Sequence, residues 1–138
     1  MMNVNYMLPQ VDGRCNHILV VEDEFLIRVM LGEILREAGY TVTEAANADE
    51  ALTFLSKKLP DLIITDVRMP GSCDGLELMS KVRAANLLLP IIVTSAHLVP
   101  SINQFTGPTH FLSKPYDYNA LIILIDSELT NYYNQEIM

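Results

Sequence analysis

Short apolar runs alternate with amphipathic segments along the chain. The runs at residues 18–21, 62–65 and 91–94 are rich in β-branched side chains, which is typical of strands buried on both faces of a parallel sheet. Between these runs, apolar residues recur near helical spacing, and this alternation predicts βαβ units. The expected strands are residues 18–21, 40–45, 62–65, 91–94 and 111–112.

Capping residues mark the helices between these strands. Gly39 ends the first expected helix, and Asn47 is a candidate N-cap for a second helix that runs to Lys58. Residues 75–85 form the third, and the last begins after Asp117 and runs to about residue 133. Five parallel strands with helices on both faces, a doubly wound α/β domain, are therefore predicted.

Polar side chains stand where the expected strands end. Asp66 follows the run at residues 62–65, and an acidic triplet, Glu22, Asp23 and Glu24, follows the first run. Open α/β sheets bind ligands at the carboxyl ends of their strands. If these strands are neighbours, about 4.8 Å apart, Asp23 and Asp66 lie close together and their charges favour a cation. Oxygen ligands suit Mg²⁺, whereas Glu24 is better explained as an acid at a helix start.

Two further strand ends carry groups that suit an anionic ligand. Lys114 follows the fifth strand and could supply positive charge to an arriving phosphoryl group, although a surface lysine before a turn is the simpler alternative. Ser95 closes the fourth strand, where a hydroxyl more often satisfies backbone groups. The coincidence of four such strand ends favours a binding site over four separate structural explanations.

Composition limits the classes of function. The chain has 138 residues and a formal net charge of −8, so we expect one domain and no nucleic-acid-binding face. The longest apolar stretches are too short for a membrane span. Residues 1–15 are expected to be a flexible leader, 16–133 the domain and 134–138 a tail. Cys15 and Cys73 are expected at opposite ends of the sheet, and reduced thiols indicate a cytoplasmic protein.

Five short motifs together resemble the receiver domain of two-component response regulators, and the resemblance covers about residues 16–133. They are the segments at residues 20–24 (VVEDE), 65–71 (TDVRMPG), 74–75 (DG), 94–96 (TSA) and 111–115 (FLSKP). The resemblance implies a flavodoxin-like fold with strand order 2-1-3-4-5. It also implies a stand-alone phosphoacceptor module that shifts its conformation, and its protein contacts, when phosphorylated.

The resemblance also implies a role for each matching residue. Asp66 matches the phosphoacceptor that attacks the phosphohistidine of a histidine kinase or phosphotransfer protein. Asp23 matches the direct Mg²⁺ ligand, which binds the ion together with Asp66. Glu22 matches the acid that holds Mg²⁺ through water, and the backbone carbonyl of Arg68 completes the ligands. Lys114 matches the lysine that pairs with the phosphoryl group.

Two more matching positions form the expected switch, and one segment departs from the family pattern. Ser95 matches the hydroxyl that moves onto the phosphoryl oxygen, and Phe111 the aromatic ring that turns inward with it. Between His97 and Gly107 the chain is short and is interrupted by Pro100, so we expect a short or irregular fourth helix. The usual output surface is therefore in question, and the sequence leaves open whether the protein forms a homodimer.

His97 and Arg68 lie two positions beyond Ser95 and Asp66, where side chains flank the phosphoryl group. We expect them to modulate the lifetime of the acyl phosphate, with solvated side chains at a loop rim as the alternative. The downstream partner is not identified by the sequence, and whether Pro115 is cis stays open.

Two other classes of function use similar parts. A Mg²⁺-dependent aspartyl-phosphate hydrolase usually has a second Asp two residues after its nucleophile, and this chain has Arg68 there. A flavodoxin-like cofactor binder would need a phosphate-binding loop where this chain has acidic residues. We therefore expect a signalling protein that accepts phosphate and can lose it by autodephosphorylation, not a turnover enzyme in the usual sense.

Overall fold

The computed structural model describes residues 16–69, 74–86, 88–96 and 107–137. Five strands and four helices occupy these residues. In chain order they are β1 (His17–Val21), α1 (Phe25–Glu37), β2 (Thr41–Ala45), α2 (Ala48–Leu55), β3 (Leu62–Asp66), α3 (Gly75–Ala85), β4 (Ile91–Ser95), β5 (Thr109–Ser113) and α4 (Tyr118–Ile137). The strands form one parallel sheet in the order β2-β1-β3-β4-β5, so the predicted fold class and strand order are confirmed.

Side chains alternate across the sheet and supply two apolar cores. Leu19 and Ile63 point to the face covered by α2 and α3. Ile18 points to the opposite face, where Leu35 of α1 and Ile125 of α4 pack against it. Because β1, β3 and β4 are buried on both faces, their sequences read as continuous apolar runs instead of alternating ones.

The helices begin at the residues that the sequence marked. The Asn47 side chain accepts a hydrogen bond from the backbone N–H of Glu50 at 2.8 Å, which confirms it as the N-cap of α2. Asp117 accepts from the N–H of Asn119 at 3.1 Å at the start of α4. Gly39, at φ 104°, follows α1 in the left-handed conformation that favours glycine.

The ends of several elements differ from the prediction. Helix α2 ends at Leu55, before Lys58, and β5 extends over Thr109–Ser113 instead of two residues. Helix α4 continues to Ile137, so most of the expected tail at 134–138 is helical. Hydrophobic periodicity locates an element better than it locates its ends, because terminal turns are exposed and weakly patterned.

Some predictions fall outside the described residues. The leader at residues 1–15, both cysteines, His97 and the expected short helix after it all lie there. Among the helices described, none is both long and apolar enough to cross a membrane.

Candidate functional site

Three carboxylates meet at the carboxyl ends of β1 and β3. These strands are neighbours with Val21 opposite Thr65, so the residues after them emerge side by side. Glu22, Asp23 and Asp66 each offer one oxygen, and these three oxygens lie within 4.8 Å of one another. The structure thus brings together the acids that the sequence placed at two separate strand ends.

Hydrogen bonds hold Glu22 in place through both its backbone and its side chain. Its backbone N–H donates to the carbonyl of Ala45 at 3.0 Å, and Arg28 Nη1 donates to its carbonyl oxygen at 2.9 Å. Its side chain accepts from the N–H of Glu24 at 3.1 Å. Glu22 is only 4% exposed, and this burial raises its pKa, with the Asp66 charge acting in the same direction against Lys114.

Lys114 is the cation of the site. Its Nζ lies 3.1 Å from Asp66 Oδ2 and 3.3 Å from Glu22 Oε1. Burial alone would lower the pKa of Lys114, but the hydrogen bond to Asp66 and the charge of Glu22 outweigh burial and raise it. The backbone fixes its position, because the N–H of Lys114 donates to the carbonyl of Ser95 at 2.8 Å. The peptide bond from Lys114 to Pro115 is cis.

The backbone around Asp66 depends on a glycine that the sequence analysis did not assign a role. A Cβ atom on Gly75 would lie 2.0 Å from the Asp66 carbonyl oxygen, a distance that no side chain can occupy. The N–H of Gly75 donates to the carbonyl of Val67 at 2.9 Å, and the N–H of Val67 donates to Thr94. The Asp-Gly pair at residues 74–75 was the available signal, and it marked only a family motif.

The two predicted switch residues lie on the neighbouring strands β4 and β5. Ser95 is the last residue of β4, is buried and pairs in register with Ser113. Phe111 lies on β5 and packs, partly buried, against the core that α2 and α3 cover. Arg68 is exposed just after β3. The structure describes a single arrangement, so the movements of Ser95 and Phe111 stay predictions.

Tyr116 is a site neighbour that the sequence analysis missed. It packs beside α4 with its ring 5.7 Å from that of Tyr118, edge to face. Burial raises the pKa of Tyr116 to about 12, and nearby Tyr118, Glu22 and Asp66 act in the same direction, against Lys114. Its phenol therefore stays neutral at the edge of the acidic cluster. Its position directly after the Lys-Pro pair was the only signal in the sequence.

Comparison with known proteins matches this chain and its fold to one family. The model of the response regulator receiver domain matches residues 18–126. A receiver domain protein (CheY-like) from Methanospirillum hungatei superposes with a TM-score of 0.80 at 23% identity, covering 88% of this chain and 99% of its own, which supports the fold. CheY4 of Vibrio cholerae superposes with a TM-score of 0.72 at 31% identity, covering 83% and 98%.

Two curated relatives extend the comparison. The DNA-binding transcriptional regulator NtrC of Salmonella typhimurium is 34% identical over 122 residues, which cover 86% of this chain and 26% of NtrC. The chain thus spans about a quarter of that relative. Sporulation initiation phosphotransferase F of Bacillus subtilis is 31% identical over 108 residues, 75% of this chain and 86% of the relative. The chain belongs to the response regulator receiver domain family, the phosphoacceptor modules of two-component signalling.

Proposed function

We propose that Asp66 is the phosphoacceptor of this chain. The observation that carries the proposal is the pairing of the Asp66 carboxylate with Lys114 Nζ at 3.1 Å, beside two more carboxylates. An ionised carboxylate can attack the phosphorus of a phosphohistidine without losing a proton. The P–N bond breaks, an acyl phosphate forms, and the donor imidazole keeps the electron pair. Protein contributes to such transfers mainly by positioning and by neutralising charge.

We propose that the three carboxylates hold Mg²⁺. The donor set fits, because hard oxygen ligands are those that Mg²⁺ prefers, and the ligand oxygens lie within 4.8 Å of one another. Asp23 and Asp66 would bind the ion directly, Glu22 through water, and Arg68 through its backbone carbonyl. The ion would neutralise charge on the transferred phosphoryl group.

Lys114 supplies the second positive charge. In this arrangement its ammonium group already contacts the carboxylate that becomes phosphorylated, so it can pair with a phosphoryl oxygen once transfer has occurred. Ser95 and Phe111 would then convert the added charge into a change of surface, the hydroxyl by moving to the phosphoryl group and the ring by turning inward. The result is a two-state equilibrium that phosphorylation biases.

We also propose which kinds of protein donate the phosphoryl group and respond to it. The donor is a histidine kinase or a histidine phosphotransfer protein, and the reader is a downstream protein. The likeness to sporulation initiation phosphotransferase F, most of whose length the chain matches, supports a role in passing phosphate onward. We propose that the protein acts in the cytoplasm, alone or as a homodimer, without contacting nucleic acid or membrane, and that it is not a turnover enzyme.

Mass measurement after incubation with Mg²⁺ and acetyl phosphate tests the central claim. The wild-type protein should gain one phosphoryl group, peptide mapping should place the group on Asp66, and Asp66→Asn should gain none. Asp49→Asn, a change at an exposed position in α2, is the matched control and should be phosphorylated like the wild type. An adduct that persists in Asp66→Asn would contradict the proposal, and continuous phosphate release from excess donor would favour the hydrolase alternative.

The lifetime of the acyl phosphate is a separate proposal. Arg68 and His97 should set it, because side chains two residues beyond Asp66 and Ser95 can guide or exclude the attacking water. Dephosphorylation rates of Arg68→Ala and His97→Ala measure this. Rates equal to the wild-type rate in both variants would exclude the role.

A further inference from the structure

An apolar groove of about 440 Å³ lies between α1 and α4, apart from the acidic cluster. It is lined by residues of the second half of α1, by the residue that follows this helix, and by residues of the first half of α4. These residues are Ile34, Glu37, Ala38, Asn119, Ile122 and Ile123. Ile123 is 71% exposed, which makes the groove open to a partner along its α4 side.

In the described part of the chain, the charged side chains that α1 and α4 place beside this groove are acidic. Glu37 lies in the lining, and Glu33 lies one turn before it on the same face of α1. On α4, Asp126 follows Ile122 and Ile123 by four and three positions, so it shares their face. Helix α4 contains no lysine or arginine along its 20 residues.

The two arginines of α1 do not balance this charge, because both turn towards β2. Arg36 Nη1 contacts Glu44 Oε2 at 3.0 Å, and its Nη2 donates to the carbonyl of Val42. Arg28 Nε lies 3.8 Å from Glu44 Oε1, and its Nη1 holds the carbonyl of Glu22. The groove therefore combines an apolar floor with a rim of one sign.

We propose that this groove binds an amphipathic helix of a partner protein that carries lysine or arginine beside its apolar face. A helix lying in a groove inserts side chains at positions i, i+3, i+4 and i+7, and its flanking cations would face Glu33, Glu37 and Asp126. A second copy of this chain would bring two acidic rims together, and an anionic membrane would be repelled, so the charge pattern favours the basic helix. The inference goes beyond the phosphoacceptor role, since none of the acidic-cluster residues lines the groove.

Binding of a synthetic peptide measured by fluorescence anisotropy at physiological salt tests this. The probe is a fluorescein-labelled helix with leucines at i, i+3, i+4 and i+7 and lysines on both flanks. A second peptide has the same composition with the leucine positions scrambled, and a third has glutamate for lysine. The first should bind at least about tenfold more tightly than either of the others, because apolar fit and charge both contribute.

Matched substitutions locate the binding. Ile123→Asn should weaken binding of the first peptide about fivefold or more, whereas Leu59→Asn, at an exposed apolar residue outside the groove, should not change it. Glu37→Gln should weaken it about two- to fivefold, whereas Glu77→Gln, with the same net charge, should not. Equal binding of the scrambled peptide would overturn the proposal, as would Ile123→Asn and Glu37→Gln variants that, folded by circular dichroism, bind as tightly as the wild type.

Discussion

Gly75 allows α3 to begin directly against the backbone of Asp66. A Cβ atom at this position would lie 2.0 Å from the Asp66 carbonyl oxygen, which is a backbone atom. A rigid neighbour of this kind cannot rotate away. Gly32 in α1 is different, because its nearest neighbour is the end of the Glu44 side chain, at 2.5 Å.

We therefore expect alanine to have a much larger effect at Gly75 than at Gly32. Gly75→Ala should lower the free energy of unfolding by about 1–3 kcal/mol and slow phosphorylation, because Asp66 must shift. Gly32→Ala should change stability by less than about 1 kcal/mol, since Glu44 can move and alanine favours a helix. Urea denaturation measures both. Equal effects at the two positions would show that the Asp66 backbone yields easily.

His17 is a buried titratable residue at the other end of the sheet. It is 7% exposed, its Nε2 lies 2.8 Å from Thr43 Oγ1, and its Nδ1 has no hydrogen-bond partner among the described residues. Burial, followed by the charge of Lys58, lowers its pKa, and Asp61 only partly opposes this. The folded protein therefore holds this ring neutral.

The lowered pKa of His17 predicts that the protein becomes less stable as the pH is lowered. Below the ordinary value of 6.5, the unfolded chain protonates His17 before the folded protein does, so the free energy of unfolding falls as pH decreases. The loss continues until the folded pKa is reached and is at most about 1.4 kcal/mol per pH unit. Urea denaturation of the wild type and of His17→Gln between pH 7.5 and pH 5.5 isolates the contribution of His17 to this pH dependence. Parallel curves for the two proteins would exclude it.

At the scale of elements, Arg83 joins α3 to the starts of β4 and β5. Its Nη2 donates to the carbonyl of Pro108 at 2.7 Å and lies 3.1 Å from Thr109 Oγ1. Its Nη1 donates to the carbonyl of Leu89, just before β4. One planar guanidinium thus holds two neighbouring strands in register at the end opposite the acidic cluster.

Removal of this guanidinium should destabilise β5 more than the rest of the sheet. Arg83→Ala should lower the free energy of unfolding by about 2–4 kcal/mol, because the partly buried hydrogen bonds to the carbonyls of Leu89 and Pro108 lose their charged donor. Arg83→Lys should retain only part of the stability that Arg83→Ala loses, since one ammonium group cannot span both strands. Hydrogen exchange of the β5 amides and urea denaturation measure this, with Lys81→Ala, an exposed change in α3, as the control. An Arg83→Lys variant as stable as the wild type would show that charge alone suffices.

At the scale of the whole molecule, one edge of the sheet brings several like charges close together. The chain carries a net charge of −8, and three of its carboxylates converge with one lysine. Repulsion at this edge opposes folding, and a bound cation would relieve it.

Mg²⁺ should therefore stabilise the fold as a whole. At free Mg²⁺ 100 times its Kd, the free energy of unfolding should rise by about 2.7 kcal/mol. Asp23→Asn should abolish this increase and, without Mg²⁺, be at least as stable as the wild type, because one of three like charges is gone. Thermal unfolding across a Mg²⁺ titration at constant ionic strength measures it, with Asp49→Asn as the control. The same increase in Asp23→Asn would place the ion elsewhere.

The sequence by itself located the elements and the strand ends that carry the candidate site residues. Buried runs located five strands, Asn47 and Asp117 marked helix starts, and carboxylates after two strands indicated a shared edge. These are local signals: they depend on which side of a short segment is buried and on which residue caps it.

Only the tertiary structure decided the distances between residues that are far apart in sequence. The contact of Lys114 with Glu22 and Asp66 depends on strand order and register, and so do the Arg83 bridge and the groove between α1 and α4. The role of Gly75 was missed because its close neighbour, Asp66, belongs to another element. Periodicity reports whether a position is buried, but not what buries it, so these contacts follow only once the sheet has assembled.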